Sequence, residues 1–258
     1  MMKNSLKYIV FFVFATLSLF SCRGGKASSG TDIASVVVAT SSWTAAYARA
    51  AGAENIVVLA PFEMEHPSEY ELRPGDIPKL MDAKVIVYAG YEVMTERLKK
   101  GLELPQDKLL LVDTDYSYAT IEKSVMDIAV KLGTEDTARK NLSDIRRMFE
   151  EGRDAVNRKK MSEQPVIVHR FQASVAKELG LIPVVLFGPA APEASEIAVA
   201  AGTQALLIID NFHNPAGLSF REVLPDTRYV QLLNFPGLKG TKILTDVIRY
   251  NVSQIVQN

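Results

Sequence analysis

An α/β fold of two lobes, each built on a parallel sheet and joined by one long helix, is the architecture this sequence predicts. Three observations carry that expectation. Short apolar, β-branched runs alternate with segments of helical period, which is the pattern of parallel sheets covered on both faces. The layout of the first half, strand then polar loop then helix then glycine, returns from Pro165 onward. Between the two halves, apolar residues at Leu142, Ile145, Met148, Phe149 and Val156 fall on one face of a segment running from Thr134 to about Met161. These features describe two Rossmann-like lobes and a linking helix.

In chain order, Ser35–Ala39 reads as a strand, Trp43–Ala51 as a helix closed by Gly52, and Ile56–Leu59 as a second strand. Ile77–Met81 reads as a short helix, Lys84–Tyr88 as a strand ended by Gly90, Glu92–Leu102 as a helix and Lys108–Val112 as a fourth strand. Thr120–Leu132 is helical by its apolar spacing, with Gly133 to stop it and Thr134 to cap the long helix that follows. Gly152 inside that helix costs about 1 kcal/mol and leaves room for a kink. In the second half Pro165–Gly180 reads as strand, polar loop, helix and glycine, and the further expected strands are Leu181–Phe187, Ala205–Ile209 and Arg228–Leu233. Pro183 argues for an edge position or a strand start. Helices are also expected over Glu193–Ala201 and after Gly240–Thr241.

The amino terminus has a different character. Lys3 and Lys7 precede an apolar run, Tyr8–Phe20, which is short for a membrane span and ends in Leu19-Phe20-Ser21-Cys22. A charged start, a short apolar core and a small residue before the cut describe a signal peptide. The cysteine at its end makes it similar to a bacterial lipoprotein signal, with Cys22 lipidated. Cys22 is the only cysteine, so the mature chain has no internal disulfide, no thiol nucleophile and no thiolate metal ligand. The expected organisation is a signal peptide at 1–22, a tether rich in glycine and serine at 23–34, an α/β lobe at 35–132, the linking helix at 133–162 and a second α/β lobe at 163–258. A formal net charge of −1 and a pI near 6.3 give no electrostatic case for nucleic acid.

The chain contains three histidines, and each follows a predicted strand. His66 lies beyond Leu59, flanked by Glu65 and Pro67; His169 directly follows Val166-Ile167-Val168; His213 follows Asp210 after Leu206–Ile209. Asp113 and Asp115 follow the strand ending at Val112. Ligands of open α/β sheets bind at the carboxyl ends of the strands. If the lobes face one another, these side chains converge on the cleft, where imidazoles and a carboxylate suit a tetrahedral divalent metal.

The run Glu65-His66-Pro67-Ser68-Glu69-Tyr70-Glu71-Leu72-Arg73-Pro74-Gly75-Asp76-Ile77 resembles the first-ligand motif of the zinc and manganese solute-binding proteins of bacterial metal-ion ABC transporters. Ala83–Gly90, Val166–Phe171 and Thr245–Asn251 are similar to later segments of the same family, so that the likeness covers essentially the whole mature chain. It implies His66 and His169 as metal ligands. The family's second ligand is usually a histidine in an aromatic motif, and Asp113-Thr114-Asp115-Tyr116-Ser117-Tyr118 stands there, with Asp115 nearest. The family's fourth ligand is often an aspartate before the last helix, where this chain has Asn234-Phe235-Pro236-Gly237. Asp210 matches an acidic position of the family, and His213, three residues on, is inferred as the replacement ligand. The acidic histidine-rich loop of zinc receptors is absent.

The resemblance implies a non-enzymatic periplasmic receptor, lipid-anchored to a bacterial membrane and monomeric, that captures a divalent ion and presents it to an ABC-transporter permease. A ligand set of His66, Asp115, His169 and His213 favours Zn2+ over Mn2+ because it is rich in nitrogen. A metallohydrolase would call for a His-Glu-x-x-His helix, which the sequence lacks. Two alternatives stand beside the receptor reading: a binding lipoprotein for a chelated ligand such as a siderophore or corrinoid, which requires a cleft lined by aromatics or arginine, and a lipoprotein adhesin.

Overall fold

The structure, a computed structural model, describes residues 36–257. The signal peptide, Cys22 and the tether lie outside the described residues. Among the described residues no helix is long and apolar enough to cross a membrane.

Two four-stranded parallel sheets organise the chain, as the alternation of elements predicts. The first contains β1 (Val37–Ala39), β2 (Ile56–Val58), β3 (Val85–Tyr88) and β4 (Leu109–Leu111), in the order β2-β1-β3-β4. The second contains β5 (Pro165–His169), β6 (Ile182–Phe187), β7 (Leu207–Asn211) and β8 (Arg228–Leu232), in the order β6-β5-β7-β8. Each sheet is therefore a copy of the other in topology. Central strands are buried on both faces, and so read as continuous apolar runs rather than alternating ones: Val37, Val38 and Ala39 of β1, and Val166, Ile167 and Val168 of β5, are fully buried. Pro183 sits in β6, an edge strand, where register shifts between Val166 and Ile167 of its neighbour.

Helices α1 (Ser42–Ala50), α3 (Tyr118–Leu132), α4 (Glu135–Arg158), α5 (Ala173–Glu178) and α8 (Leu244–Val256) carry the apolar residues that fill the space between the sheets. Ser41 caps α1, its hydroxyl accepting from the Thr44 N–H while the Thr44 hydroxyl accepts from the Ser41 N–H. Gly133, in the left-handed region at φ 75°, ends α3. The core formed here is continuous: Val37, Tyr47 and Val87 of the first half belong to the same cluster as Val168, Leu207 and Val247 of the second. The outer faces of the sheets carry separate clusters. One, around Leu80 and Ile86, includes α2 (Ile77–Asp82); the other, around Ile167, Phe187 and Phe220, includes α6 (Ala194–Ala201) and α7 (Phe220–Val223).

Helix α4 spans 24 residues, about 36 Å at about 1.5 Å per residue. It ends at Arg158 rather than Met161, and Gly152 does not break it. A Cβ at Gly152 would lie 2.7 Å from the Leu179 Cδ2 and 3.1 Å from the Val252 Cγ1. Glycine is there because the second lobe packs directly on the helix backbone. The expected helix at Glu92–Leu102 also differs. Glu92 is buried and its carboxylate accepts from the N–H groups of Ala89 and Gly90 and from the Thr40 hydroxyl at 2.6–2.9 Å. Tied back to β3 in this way, the segment becomes helical only at 95–101, where Arg97–Gly101 is of the wider π type.

Candidate metal and solute cleft

Crossovers from β1 and β5 leave in opposite directions to their neighbours, so each sheet has its switch point at the carboxyl end of its central strands. The two switch points open onto one cleft of ≈ 720 Å³. Its wall is built from residues just past strand ends: Ser41 and Trp43 after β1, Glu65 and His66 after β2, Tyr91 and Glu92 after β3, Thr114–Tyr116 after β4, Arg170 and Phe171 after β5, His213 after β7, and Asn234 and Phe235 after β8.

His66 is exposed at the start of the turn Pro67–Glu69, with its carbonyl accepting from the Glu69 N–H at 3.1 Å. Pro67 at the first position of the turn sets its entry angle. His213 comes from the other lobe. Asp210 and Asn211 fold the loop that carries it: the Asn211 Oδ1 accepts from the N–H groups of His213 and Asn214, and the Asp210 carboxylate accepts from those of Asn211, Ala216 and Gly217 and from the Tyr229 hydroxyl. The His213 ring stacks on Phe235 with centroids 3.8 Å apart. Behind it, the Asn234 Oδ1 accepts from both Gln172 and Asn211, which fixes the loop before α8.

His213 is 4% exposed and neither ring nitrogen makes a hydrogen bond of normal geometry. Burial pushes its pKa from the ordinary 6.5 to about 4, the Glu65 carbonyl dipole opposing and nearby His66 adding to the shift. The neutral form is thus favoured by folding. That contribution is complete above pH 6.5 and is lost as pH falls from 6.5 through about 4, for a total of roughly 3 kcal/mol. Burial lowers the pKa of His169 as well, so that it acts in the same direction. The metal-free protein should have a lower denaturant midpoint at pH 4.5 than at pH 7, and His213→Phe should flatten that dependence. An identical slope in the variant would remove His213 as its source.

The structure separates the four sequence-predicted ligands into two sets. Among the described residues no three His, Cys, Asp or Glu side chains are grouped so as to hold a metal. His66 and His213 line the cleft. His169 is fully buried: its Nδ1 accepts from the Phe171 N–H at 3.1 Å, and its Nε2 lies where a Cβ on Gly188 would come within 2.2 Å. It shares a face of β5 with Ile167, which packs with Phe187 in the outer cluster, and Phe187 meets the imidazole edge-on at 5.4 Å. Asp115 lines the cleft, but both its oxygens are engaged, Oδ1 by the Ser117 N–H at 2.8 Å and Oδ2 by the Ser174 hydroxyl of α5 at 2.5 Å. In this conformation Asp115 joins the lobes, as does Glu178, whose carboxylate accepts from the Tyr118 N–H at 2.9 Å.

An aromatic lining appears that was not among the predicted site residues. Trp43, the only tryptophan in the chain, lies 6.2 Å from both Tyr91 and Tyr116 and 5.5 Å from Phe235 of the opposite lobe. The Trp43 Nε1 and the Tyr116 hydroxyl are buried without a partner. Each of these rings stands three to five residues beyond a strand end, which is the pattern that could have revealed them.

Comparison of the whole structure with solved proteins bears on the same region. The solute-binding protein FpvC of Pseudomonas aeruginosa in complex with Mn2+ superposes with a TM-score of 0.66 at 15% identity, over 86% of this chain and 97% of that one. The metal-dependent lipoprotein YcdH of Bacillus subtilis gives 0.62 at 19% identity, over 86% and 97%. A cadmium-bound periplasmic metal-binding protein of Candidatus Liberibacter asiaticus gives 0.62 at 14%, over 86% and 98%. The fold is that of metal-binding solute-binding proteins. The chain matches no family model and no curated protein. In the solute-binding fold, the cleft between lobes is the feature that His66 and His213 share.

Proposed function

We propose that this chain is a periplasmic solute-binding lipoprotein that captures a divalent metal ion, zinc in preference to manganese, and passes it to the permease of an ABC transporter. The observation that carries the reading is the presence of two imidazoles, His66 and His213, from opposite lobes in one cleft, within a fold shared with metal-binding proteins. Imidazole nitrogen suits zinc better than manganese, which prefers carboxylate and water. Burial keeps His213 in its neutral form at neutral pH, so on its side the cleft is ready for a cation there. The remaining coordination positions go to water, to a ligand the ion brings with it, or to Asp115 if it lets go of Ser174. The protein performs no chemistry on its cargo.

Protein isolated without a histidine tag should carry zinc, and stripped protein should take up one equivalent from ZnCl2 with measurable heat. Stripped protein that gives no heat with zinc or manganese would sink the proposal. The anchor is tested separately: Cys22→Ser is expected to move the protein from the membrane fraction to the soluble one. Retention of the variant in the membrane, with no unprocessed chain accumulating, would remove the lipid anchor from the proposal.

A further inference from the structure

We infer that the cleft receives its metal as a chelate, bound to a small planar ligand with carboxylate oxygens, and not as a bare hydrated ion. This rests on the metal reading above and deepens it. Four observations converge on that chemistry.

The first is room. Six waters around an ion occupy roughly 180 Å³ at about 30 Å³ each, whereas the cleft measures ≈ 720 Å³, inside the range of about 300–1,000 Å³ typical of small-molecule sites. The second is a deficit of donors. No three ligating side chains are grouped among the described residues, while a zinc ion takes about four ligands; two from His66 and His213 leave two for a bidentate partner.

The third is the exposure of large rings. Tyr91 of the first lobe is 55% exposed and Phe171 of the second is 52% exposed, and both line the cleft. Apolar faces of that size, one on each side, suit a flat ring between or against them. The fourth is polarity. Arg170 brings a guanidinium to the cleft, held by one contact to Glu196 at 3.3 Å, with its other N–H groups left for an oxyanion. In the same wall the Tyr116 hydroxyl, on a side chain only 4% exposed, and the Trp43 Nε1 have no protein partner. An indole N–H can only donate, so the group that satisfies it is an acceptor. A planar carboxylate chelator supplies ring, oxygens and two metal donors at once.

Picolinate, a flat pyridine carboxylate that binds zinc through nitrogen and oxygen, is the probe. The stripped full chain is titrated with ZnCl2, with picolinate, and with their one-to-one mixture, followed by calorimetry and by the emission of Trp43. The mixture should bind about tenfold more tightly than zinc alone. Phe171→Ala and Arg170→Gln, both at exposed positions, should erase that gain and leave the affinity for zinc alone unchanged. Trp43→Phe, read by calorimetry, should reduce the gain while keeping the ring. Equal affinity with and without picolinate overturns this inference and leaves the metal reading in place. So does a gain that survives both Phe171→Ala and Arg170→Gln. Picolinate binding equally well without zinc overturns it too, and an absence of any zinc response in either arm removes the metal reading together with it.

Discussion

Replacing either His66 or His213 with alanine is expected to weaken zinc binding by about a hundredfold or more. Loss of a partner that merely orients a ligand costs about 10–100-fold in metal affinity, and a ligand itself costs at least the upper end of that range. The two histidines sit on different lobes and reach the cleft by different means. His66 is set by Pro67 at the start of a turn, and His213 by stacking on Phe235 at 3.8 Å. Neither belongs to the apolar cores, so folding should survive both changes. Calorimetric titration of the stripped variants with ZnCl2 reads the effect. An unchanged affinity in His66→Ala would end the assignment of the site. His169→Ala is the informative companion. Unchanged affinity would keep that imidazole in the packing against Gly188 and Phe187, and a loss as large as that of His66→Ala would return it to the metal.

Asp210→Ala should be the most damaging single change to stability near the cleft, at about 4 kcal/mol. The carboxylate is fully buried and collects the N–H groups of Asn211, Ala216 and Gly217 and the Tyr229 hydroxyl at 2.5–3.1 Å. Removing it strands those donors, and breaking a buried charged network of this kind costs about 3–5 kcal/mol. For a chain of this length that lowers Tm by roughly 10 °C. Tyr229→Phe removes one donor and should cost only about 1 kcal/mol. Because the same carboxylate folds the loop bearing His213, the alanine variant should also bind zinc more weakly even below its melting temperature. A Tm within about 2 °C of the parent would show that the network is not what holds the loop.

How much of this was legible in the sequence differs by element. The strands were, because parallel strands buried on both faces leave continuous apolar runs such as Val36-Val37-Val38 and Leu207-Ile208-Ile209. The long helix was, because its apolar stripe persists over many turns. The reason for its glycine was not legible: Gly152 weakens a helix on its own, and only the approach of Leu179 and Val252 explains why it is tolerated. The helix after β3 was placed three residues too early because Glu92 bonds to backbone that a local pattern does not display.

In the site, His66 and His213 reach the cleft as their positions after strands suggest. His169 follows a strand too, but as the last residue of β5 it keeps the parity of Ile167, and parity sends it to the outer cluster. Asp115 was inferred because it stands nearest the place of the second-ligand histidine in the family the sequence resembles. Its bond to Ser174 crosses 59 residues of chain, a separation that no spacing argument reaches. The aromatic lining went unread because each ring looks like ordinary core until the strand ends are set side by side.

The apolar layer shared between the two sheets has a thermal consequence. Val37, Tyr47 and Val87 share a single cluster with Val168, Leu207 and Val247, so when the halves come apart each loses this layer and keeps only its smaller outer cluster. Heating should therefore produce one endotherm, with calorimetric and van't Hoff enthalpies in agreement, where two independently packed lobes would produce two. The same coupling means that damage at one switch point is felt at the other as lost cooperativity, and that the smallest unit of this chain able to fold is the pair.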